Sequence, residues 1–182
     1  MLPKKVHPAK VVYRGDNNYA VKKAKVDFGP HGAVQWNYTE FHDVVAVVAV
    51  DKKGLVYLAK EWRLAWNQEI LQIPGGVCKS RTEKGRVQQV HNELREEIGI
   101  DAKKIRKLGQ FYMSSRIRCM VHLYLATDLF EAKKKPDDFE FIEVVTMPFD
   151  RAYKRFVSGK NTSTGYTLAA FLLAKEKMRG SR

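Results

Sequence analysis

The chain has 182 residues, which is enough for about one domain at roughly 150 residues per domain. It carries 33 Lys and Arg against 20 Asp and Glu, a net charge of +13, and its 45% hydrophobic share excludes a disordered chain. The longest uninterrupted apolar run, residues 44–50, is far shorter than the roughly 20 residues of a membrane-spanning helix.

The first eight residues include positive charges but no apolar segment follows them, so we expect no secretory signal. The two cysteines, Cys78 and Cys119, form no CxxC pattern and no disulfide framework. These features predict a cytoplasmic protein that does not associate with membranes.

The basic residues come in small groups, at 22–25, 103–107 and 133–135. Positive charge favours anionic partners such as nucleotides, nucleic acid or acidic lipid. Solvated faces that keep the protein soluble are the commoner explanation of such groups, and no aromatic-rich RNA-binding signature accompanies them. Charge alone therefore leaves nucleic acid open as a partner.

Strands dominate the first third of the chain. Loose alternation over residues 10–42, with a turn at 29–32, predicts several short antiparallel strands. The run at 44–50 predicts a buried strand, and the turn at 51–54 returns the chain into a hairpin partner at 55–59.

A helix follows the loop that contains residues 73–76. Its apolar stripe is formed by Val87, Val90, Leu94 and Ile98, and Gly99 stands where a left-handed helix stop is expected. Residues 80–83, Ser-Arg-Thr-Glu, fit a capping box in which Ser80 and Glu83 satisfy exposed amides reciprocally.

Further strands are predicted at 121–126 and 141–145, and helices at 149–157 and 166–178. The first of these helices is expected to stop at Ser158 and Gly159. Strands and helices mixed in one chain of this size predict an α/β sandwich.

Three carboxylates, Glu93, Glu96 and Glu97, lie at i, i+3 and i+4 on the predicted helix, on the side opposite Leu94 and Ile98. Like charges at this spacing repel each other, and a hard divalent cation would turn the repulsion into coordination. A solvated acidic face is the alternative explanation when the pattern stands alone.

The residues around the three carboxylates also match a known sequence motif. The residues Pro74-Gly75-Gly76 followed by Asn-Glu-Leu-Arg-Glu-Glu-Ile-Gly-Ile at 92–100 resemble the Nudix box. Residues 59–63 and the acidic stretch 137–144 are similar to segments of the ADP-ribose and nucleoside diphosphate sugar pyrophosphatase branch of that family. The resemblance covers roughly residues 10–175.

The resemblance implies an α/β fold, the Nudix α/β/α sandwich with a mixed sheet and a β-rich N-terminal extension. Residues 1–42 would be that extension and would build a homodimer, and residues 43–182 would be the hydrolase domain.

The resemblance also implies a site for Mg²⁺ or Mn²⁺. Glu93 and Glu97 would be ligands, and Glu96 would be a ligand or a base. The backbone carbonyl of Gly75 and the carboxylate of Glu140 would be further ligands, and Asp138 would be the general base.

Substrate contacts are implied as well, for Arg63, Gly76 and Arg116. The fork of Arg63 suits bidentate phosphate binding, with a surface ion pair as the alternative. Glu83 matches the loop glutamate of the box, although its role as the capping partner of Ser80 is favoured.

Two features depart from the family pattern. Asn92 replaces the arginine of the box, which in the family orients a catalytic glutamate. In the loop at 113–119, Arg116 and Arg118 stand where the branch has a Ser-Pro-Gly loop and a glutamate.

The function implied is metal-dependent hydrolysis of a nucleoside diphosphate linked to a sugar, yielding a nucleoside monophosphate and a sugar phosphate. The alternatives are a Nudix hydrolase acting on RNA 5′ ends and a catalytically weak Nudix-fold module that binds nucleotides or RNA.

Overall fold

The computed structural model describes residues 2–15, 19–132, 141–159 and 162–179. The chain forms two compact units. The first comprises Met1–Asp43 and Phe111–Met120, and the second comprises Val44–Gln110 and Val121–Arg182.

The first unit is built from strands. β1 (Lys5–Val6) and β2 (Lys10–Arg14) pair antiparallel with β3 (Ala20–Asp27), which pairs antiparallel with β4 (Ala33–Glu40). The start of β10 (Ile117–Glu131) runs parallel to the end of β4. The several short antiparallel strands predicted for this region are confirmed.

The second unit contains a mixed sheet. β5 (Asp43–Val50) pairs parallel with β10 and antiparallel with β6 (Leu55–Arg63). β6 pairs antiparallel with β7 (Gln68–Gln72) and with β11 (Ile142–Pro148), while β8 (Gly75–Cys78) pairs with β5 and β9 (Ile100–Ser114) pairs with β10.

Three helices complete the described residues: α1 (Glu83–Glu97), α2 (Phe149–Val157) and α3 (Gly165–Arg179). All three were predicted, and positive φ angles at Gly99 and Gly159 bear out both expected stops. No helix in the described part of the chain is long and apolar enough to cross a membrane.

Helices cover both faces of the mixed sheet because alternate residues of β5 are buried on each side. Val45, Val47 and Ala49 belong to one apolar cluster with Val90 and Leu94 of α1. The intervening β5 residues at 46, 48 and 50 are buried as well. On the other side, α2 contacts β6 and β11, so the predicted α/β/α sandwich is confirmed.

The ring of Phe171 in α3 joins the two C-terminal helices. Its centroid lies 5.4 Å from the ring of Phe149 and 5.1 Å from that of Phe156, both in α2. At the start of α3, the Thr167 hydroxyl accepts a hydrogen bond from the backbone amide of Ile73. The loop before β8 is thereby fastened to α3.

Core packing of α1 generates a stability prediction. Leu94 is fully buried, so Leu94→Ala removes apolar contacts and leaves a cavity. We expect the free energy of unfolding in urea to fall by about 2–5 kcal/mol. Leu168→Ala is the matched control on α3, because Leu168 is 38% exposed. An equal loss in both variants would contradict the packing of α1 described above.

Candidate functional site

The start of α1 is fixed by Thr82 rather than by the predicted capping box. The Thr82 hydroxyl accepts a hydrogen bond from the backbone amide of Gly85 at 3.1 Å. Glu83 instead accepts a hydrogen bond from the Tyr124 hydroxyl at 2.8 Å and pairs with Lys107 at 3.2 Å. The capping-box prediction for Ser80 and Glu83 was wrong because the helix begins at Glu83, two residues later than that pairing requires.

Two of the three helix carboxylates are buried. Glu93 is 8% exposed and Glu97 is 7% exposed, whereas Glu96 is half-buried. We expected all three on the side opposite Leu94 and Ile98. Glu93 and Glu97 instead lie beside the apolar stripe and share its burial, because Gly75 and Gly76 at the start of β8 contact them.

We call Gly75 and Gly76, the first two residues of β8, the glycine segment, and it can approach the carboxylates because it has no side chains. The backbone amide of Gly75 donates a hydrogen bond to Oε2 of Glu97 at 3.1 Å. A Cβ on Gly76 would lie 2.8 Å from Cδ of Glu93, and a Cβ on Gly75 would lie 2.8 Å from Cα of Ala46. A side chain at Gly75 would collide with the backbone of β5, and a side chain at Gly76 would displace the carboxylate of Glu93.

Burial and charge act together on Glu97. Its pKa is raised well above the ordinary glutamate value, first because burial removes solvation and second because Glu93 is close by. The Gly75 amide and the more distant Arg63 lower the pKa, but they do not offset the first two effects. A positive ion placed between the two carboxylates would stabilise their ionised forms.

Glu93 is positioned by a residue that the sequence analysis did not single out. Nε2 of Gln89 donates a hydrogen bond to Oε1 of Glu93 at 2.7 Å. Asn92, in the place of the family's arginine, contacts Gln88 at 3.5 Å. The i to i+4 spacing of Gln89 and Glu93 was the available signal, because such residues are neighbours on a helix face.

Arg63 lies at the end of β6 and forms an ion pair with Glu61 at 2.7 Å. Both residues alter the charge environment of Glu97 and of Tyr166, so all four groups are close to one another. Arg63 remains 37% exposed at its side chain and can also reach a ligand.

Gln72 and Tyr166 form a buried polar contact that the sequence did not indicate. The Tyr166 hydroxyl donates to Oε1 of Gln72 at 3.1 Å, and burial raises the pKa of Tyr166. Gln72 is fully buried, and its Nε2 has no hydrogen-bond partner among the described residues. The sequence of β7 predicted neither the burial of Gln72 nor its contact with Tyr166, because the contact depends on how β7 meets α3.

Three predicted site residues remain to be located, namely Asp138, Glu140 and Arg116. Asp138 and Glu140 lie outside the described residues. Arg116 belongs to the first unit, where it lines a cavity of about 480 Å³ together with Tyr38, Tyr112 and Arg118. Over the described ranges, no three of the His, Cys, Asp and Glu side chains converge on a metal position.

The donor set at α1 nevertheless suits a hard cation. Mg²⁺ is commonly bound by one or two carboxylates, with waters and substrate phosphates as its other ligands. Glu93 and Glu97 supply two carboxylates, and their mutual repulsion is the feature that a cation would relieve. The residues present therefore fit a divalent metal that shares its coordination with substrate.

The raised pKa of Glu97 predicts a dependence of stability on pH. Its folded pKa exceeds its unfolded value, so its ionisation destabilises the metal-free protein as pH rises above about 4. Glu97→Gln should raise Tm in a chelator by about 2–4 °C at about pH 7.5, equivalent to about 1 kcal/mol, and by much less at about pH 4.

Thermal melts at the two pH values check this expectation. Glu176→Gln is the control, because Glu176 is 75% exposed and pairs only with Arg179 among the described residues. A Glu97→Gln variant that is no more stable than the wild type at the higher pH would show that Glu97 is not strained by burial.

The chain is similar to known proteins in sequence and in fold. A NUDIX domain model matches residues 40–164 of the chain. The ADP-ribose pyrophosphatase of Bacillus subtilis (strain 168) is 32% identical over 145 residues, which is 76% of each protein. The methanol dehydrogenase activator of Bacillus methanolicus is 27% identical over 113 residues, which is 59% of each.

Among solved structures, a crystal structure of an ADP compounds hydrolase matches with a TM-score of 0.83. The match covers 100% of this chain and 96% of that chain at 17% sequence identity, and it shows the same fold. The domain model spans more than half of the chain and includes the buried glutamate pair. The chain therefore belongs to the Nudix family and is a Nudix pyrophosphatase, a hydrolase of acid anhydrides.

Proposed function

We propose that the protein hydrolyses the diphosphate of a nucleoside diphosphate linked to a sugar, such as ADP-ribose, to a nucleoside monophosphate and a sugar phosphate. The observation that supports this proposal most strongly is the buried pair Glu93 and Glu97 on α1, which the glycine segment contacts. This pair is suited to a metal that is bound together with phosphate. Similarity to an ADP-ribose pyrophosphatase supports the choice of substrate class.

The metal in this proposal is Mg²⁺ or Mn²⁺. Glu93 and Glu97 would hold it together with Glu96, the backbone carbonyl of Gly75 and, by resemblance, Glu140. When bound, such an ion neutralises diphosphate charge and favours the ionised form of a coordinated water. Gln89 and the Gly75 amide would keep the two buried carboxylates directed toward it.

The general base in this proposal is a carboxylate that accepts a proton from the attacking water. We assign this role to Asp138, with Glu96 as the second candidate and Glu140 beside them, all on the strength of the family resemblance. Glu96 is the best placed of the described residues for such exchange, because it is half-buried on the same helix as the buried pair. A base of this kind must be open to water yet close to the reacting phosphorus.

Substrate binding is assigned to Arg63, Gly76 and Arg116. The partly exposed guanidinium of Arg63 can form a bidentate contact with phosphate, and the absence of a side chain at Gly76 lets its backbone lie against the Glu93 carboxylate. Arg116 lines a cavity that also contains two tyrosines, a combination suited to phosphate binding and base stacking.

The strand-rich residues 1–42 are assigned to homodimer formation. Their exposed apolar side chains support this role, among them Val12, Tyr13 and Trp36, each more than half exposed. A reducing, cytoplasmic location fits the two free cysteines, Cys78 and Cys119, both of which are buried.

A hydrolysis panel tests the proposed function. ADP-ribose, nucleotide sugars, dinucleoside polyphosphates and 5′-triphosphate RNA would each be incubated with Mg²⁺ or Mn²⁺, with release of phosphate monoesters detected by a coupled phosphatase. We expect metal-dependent turnover of ADP-ribose or nucleotide sugars. Glu97→Gln should reduce kcat by about 100-fold or more, because a metal ligand stabilises charge in the transition state.

Glu176→Gln provides the matched control, and its turnover should equal that of the wild type. Turnover of RNA alone would replace the proposed substrate class with RNA 5′ ends. Full activity of Glu97→Gln would remove the buried pair from the mechanism. An inactive, folded wild type across the panel would contradict the proposal.

Arg63→Lys separates charge from geometry at the substrate site. Lysine keeps the positive charge but loses the planar fork, so we expect KM to rise about tenfold with a smaller change in kcat. Steady-state kinetics with the best substrate of the panel measure both constants. Arg14→Lys on β2 is the control, and an unchanged KM in Arg63→Lys would limit Arg63 to its ion pair with Glu61.

A further inference from the structure

A basic cavity lies in the second unit, apart from the candidate site. It has a volume of about 740 Å³, and four of its eight lining residues are cations: Lys103, Lys104, Arg106 and Lys177. Its other walls include Ile105, Leu125 and Met178, and none of the described residues that line it is a carboxylate. The cavity is therefore amphipathic, with an apolar lining among positive charges.

Met178 also lines a second cavity of about 640 Å³, so the two are neighbours. Three further cations line this one, Lys53, Lys175 and Arg179, against a single carboxylate, Asp150. We call the two cavities with their seven cations the basic surface. None of its lining residues belongs to α1 or to the glycine segment at the start of β8.

Carboxylates neutralise only part of this charge. Lys104 pairs with Asp128 at 2.9 Å, and Arg179 pairs with Glu176 at 3.3 Å. Lys175 lies 3.8 Å from Asp150 and also stacks over the ring of Tyr153. Lys53, Lys103 and Arg106 have no carboxylate within 4 Å in the part of the chain that the structure describes. Lys52 and Lys103 add to the positive field around Asp128.

We propose that the basic surface binds the sugar–phosphate backbone of single-stranded nucleic acid. Phosphates would meet the lysine and arginine side chains, while the apolar lining would accept ribose and base edges. Among the described residues, Phe149 is the only aromatic one that lines either cavity, and it is buried, so the described lining offers no exposed ring for base stacking. Recognition would therefore be independent of base sequence.

The shape of the surface favours a nucleic-acid strand over an acidic membrane. The cations line concave cavities, which a flexible strand can enter and a flat bilayer cannot follow. Binding of a polyanion at this face also gives a role to the basic excess that hydrolysis of a small substrate does not require.

Fluorescence anisotropy with a labelled single-stranded RNA of about 20 nucleotides and mixed sequence tests the proposal. We expect affinity to fall steeply between about 50 and 200 mM salt, with a slope near −0.7 per phosphate contacted. The double variant Lys103→Glu/Arg106→Glu should weaken binding at least about tenfold and reduce the salt slope by about 1.4.

The control variant Lys10→Glu/Lys23→Glu makes the same change in net charge at two exposed residues of the first unit. It should bind RNA nearly as the wild type does. Equal losses in the two double variants would overturn the proposal, because net charge rather than the basic surface would then explain binding. No RNA binding by the wild type, or binding only to vesicles containing phosphatidylserine, would also overturn it.

Hydrolysis of the small substrates by Lys103→Glu/Arg106→Glu is measured in parallel and should be unchanged. This readout keeps the proposal independent of the assigned activity. Loss of RNA binding with retained hydrolysis supports the basic surface, whereas loss of both in a variant with the circular dichroism spectrum of the wild type would overturn the selective role. Circular dichroism of both variants distinguishes that result.

Discussion

The burial of two neighbouring carboxylates is the constraint on which the candidate site depends. Glu93 and Glu97 are held where water is largely excluded, although ionised carboxylates lose solvation there. Packing of Leu94 and Val90 on the mixed sheet fixes α1 in this position, and the backbone amide of Val47 donates to the Pro74 carbonyl at 2.9 Å. Core packing in the second unit thus keeps the two carboxylates buried despite the loss of their solvation.

Neutral donors hold both carboxylates in the contacts described. Gln89 binds Glu93, and the Gly75 amide binds Glu97. A neutral hydrogen bond orients a carboxylate without cancelling its charge, so the full attraction for a cation is kept. The guanidinium of Arg95 binds buried Asp101. With Asn92 in place of the box arginine, the described hydrogen bond that orients Glu93 comes from Gln89.

Local signals predicted the elements that surround the site. The apolar stripe and Gly99 were sufficient for α1, since periodicity and a left-handed stop depend only on neighbouring residues. β9 was not predicted, because its polar sequence alternates poorly and its pairing with β10 is a tertiary contact. β7 and β8 are short, and only Ile73 and Pro74 separate them, so they also lacked a pattern of their own.

Within the site, the sequence identified residue types better than environments. It indicated Glu93, Glu97 and the two glycines, but it placed the carboxylates on the side of the helix opposite Leu94 and Ile98. Burial there depends on how closely the glycine segment approaches α1, and no spacing rule gives that distance. The contact between Gln72 and Tyr166 was not predicted either. It joins β7 to a helix more than 90 residues away in the sequence.

Charge separation within the second unit connects the two proposals. The buried carboxylates lie on α1, whereas the cations of the basic surface come from β9, the turn at 51–54 and the end of α3. Cations at the last turn of α3 also interact favourably with the helix dipole, so Lys177 and Arg179 suit their positions even without a ligand. That reason does not extend to Lys103 and Arg106, which lie on a strand with no such dipole. Helix electrostatics therefore does not explain why Lys103 and Arg106 line a partly apolar cavity. A phosphate backbone bound there would contact both side chains.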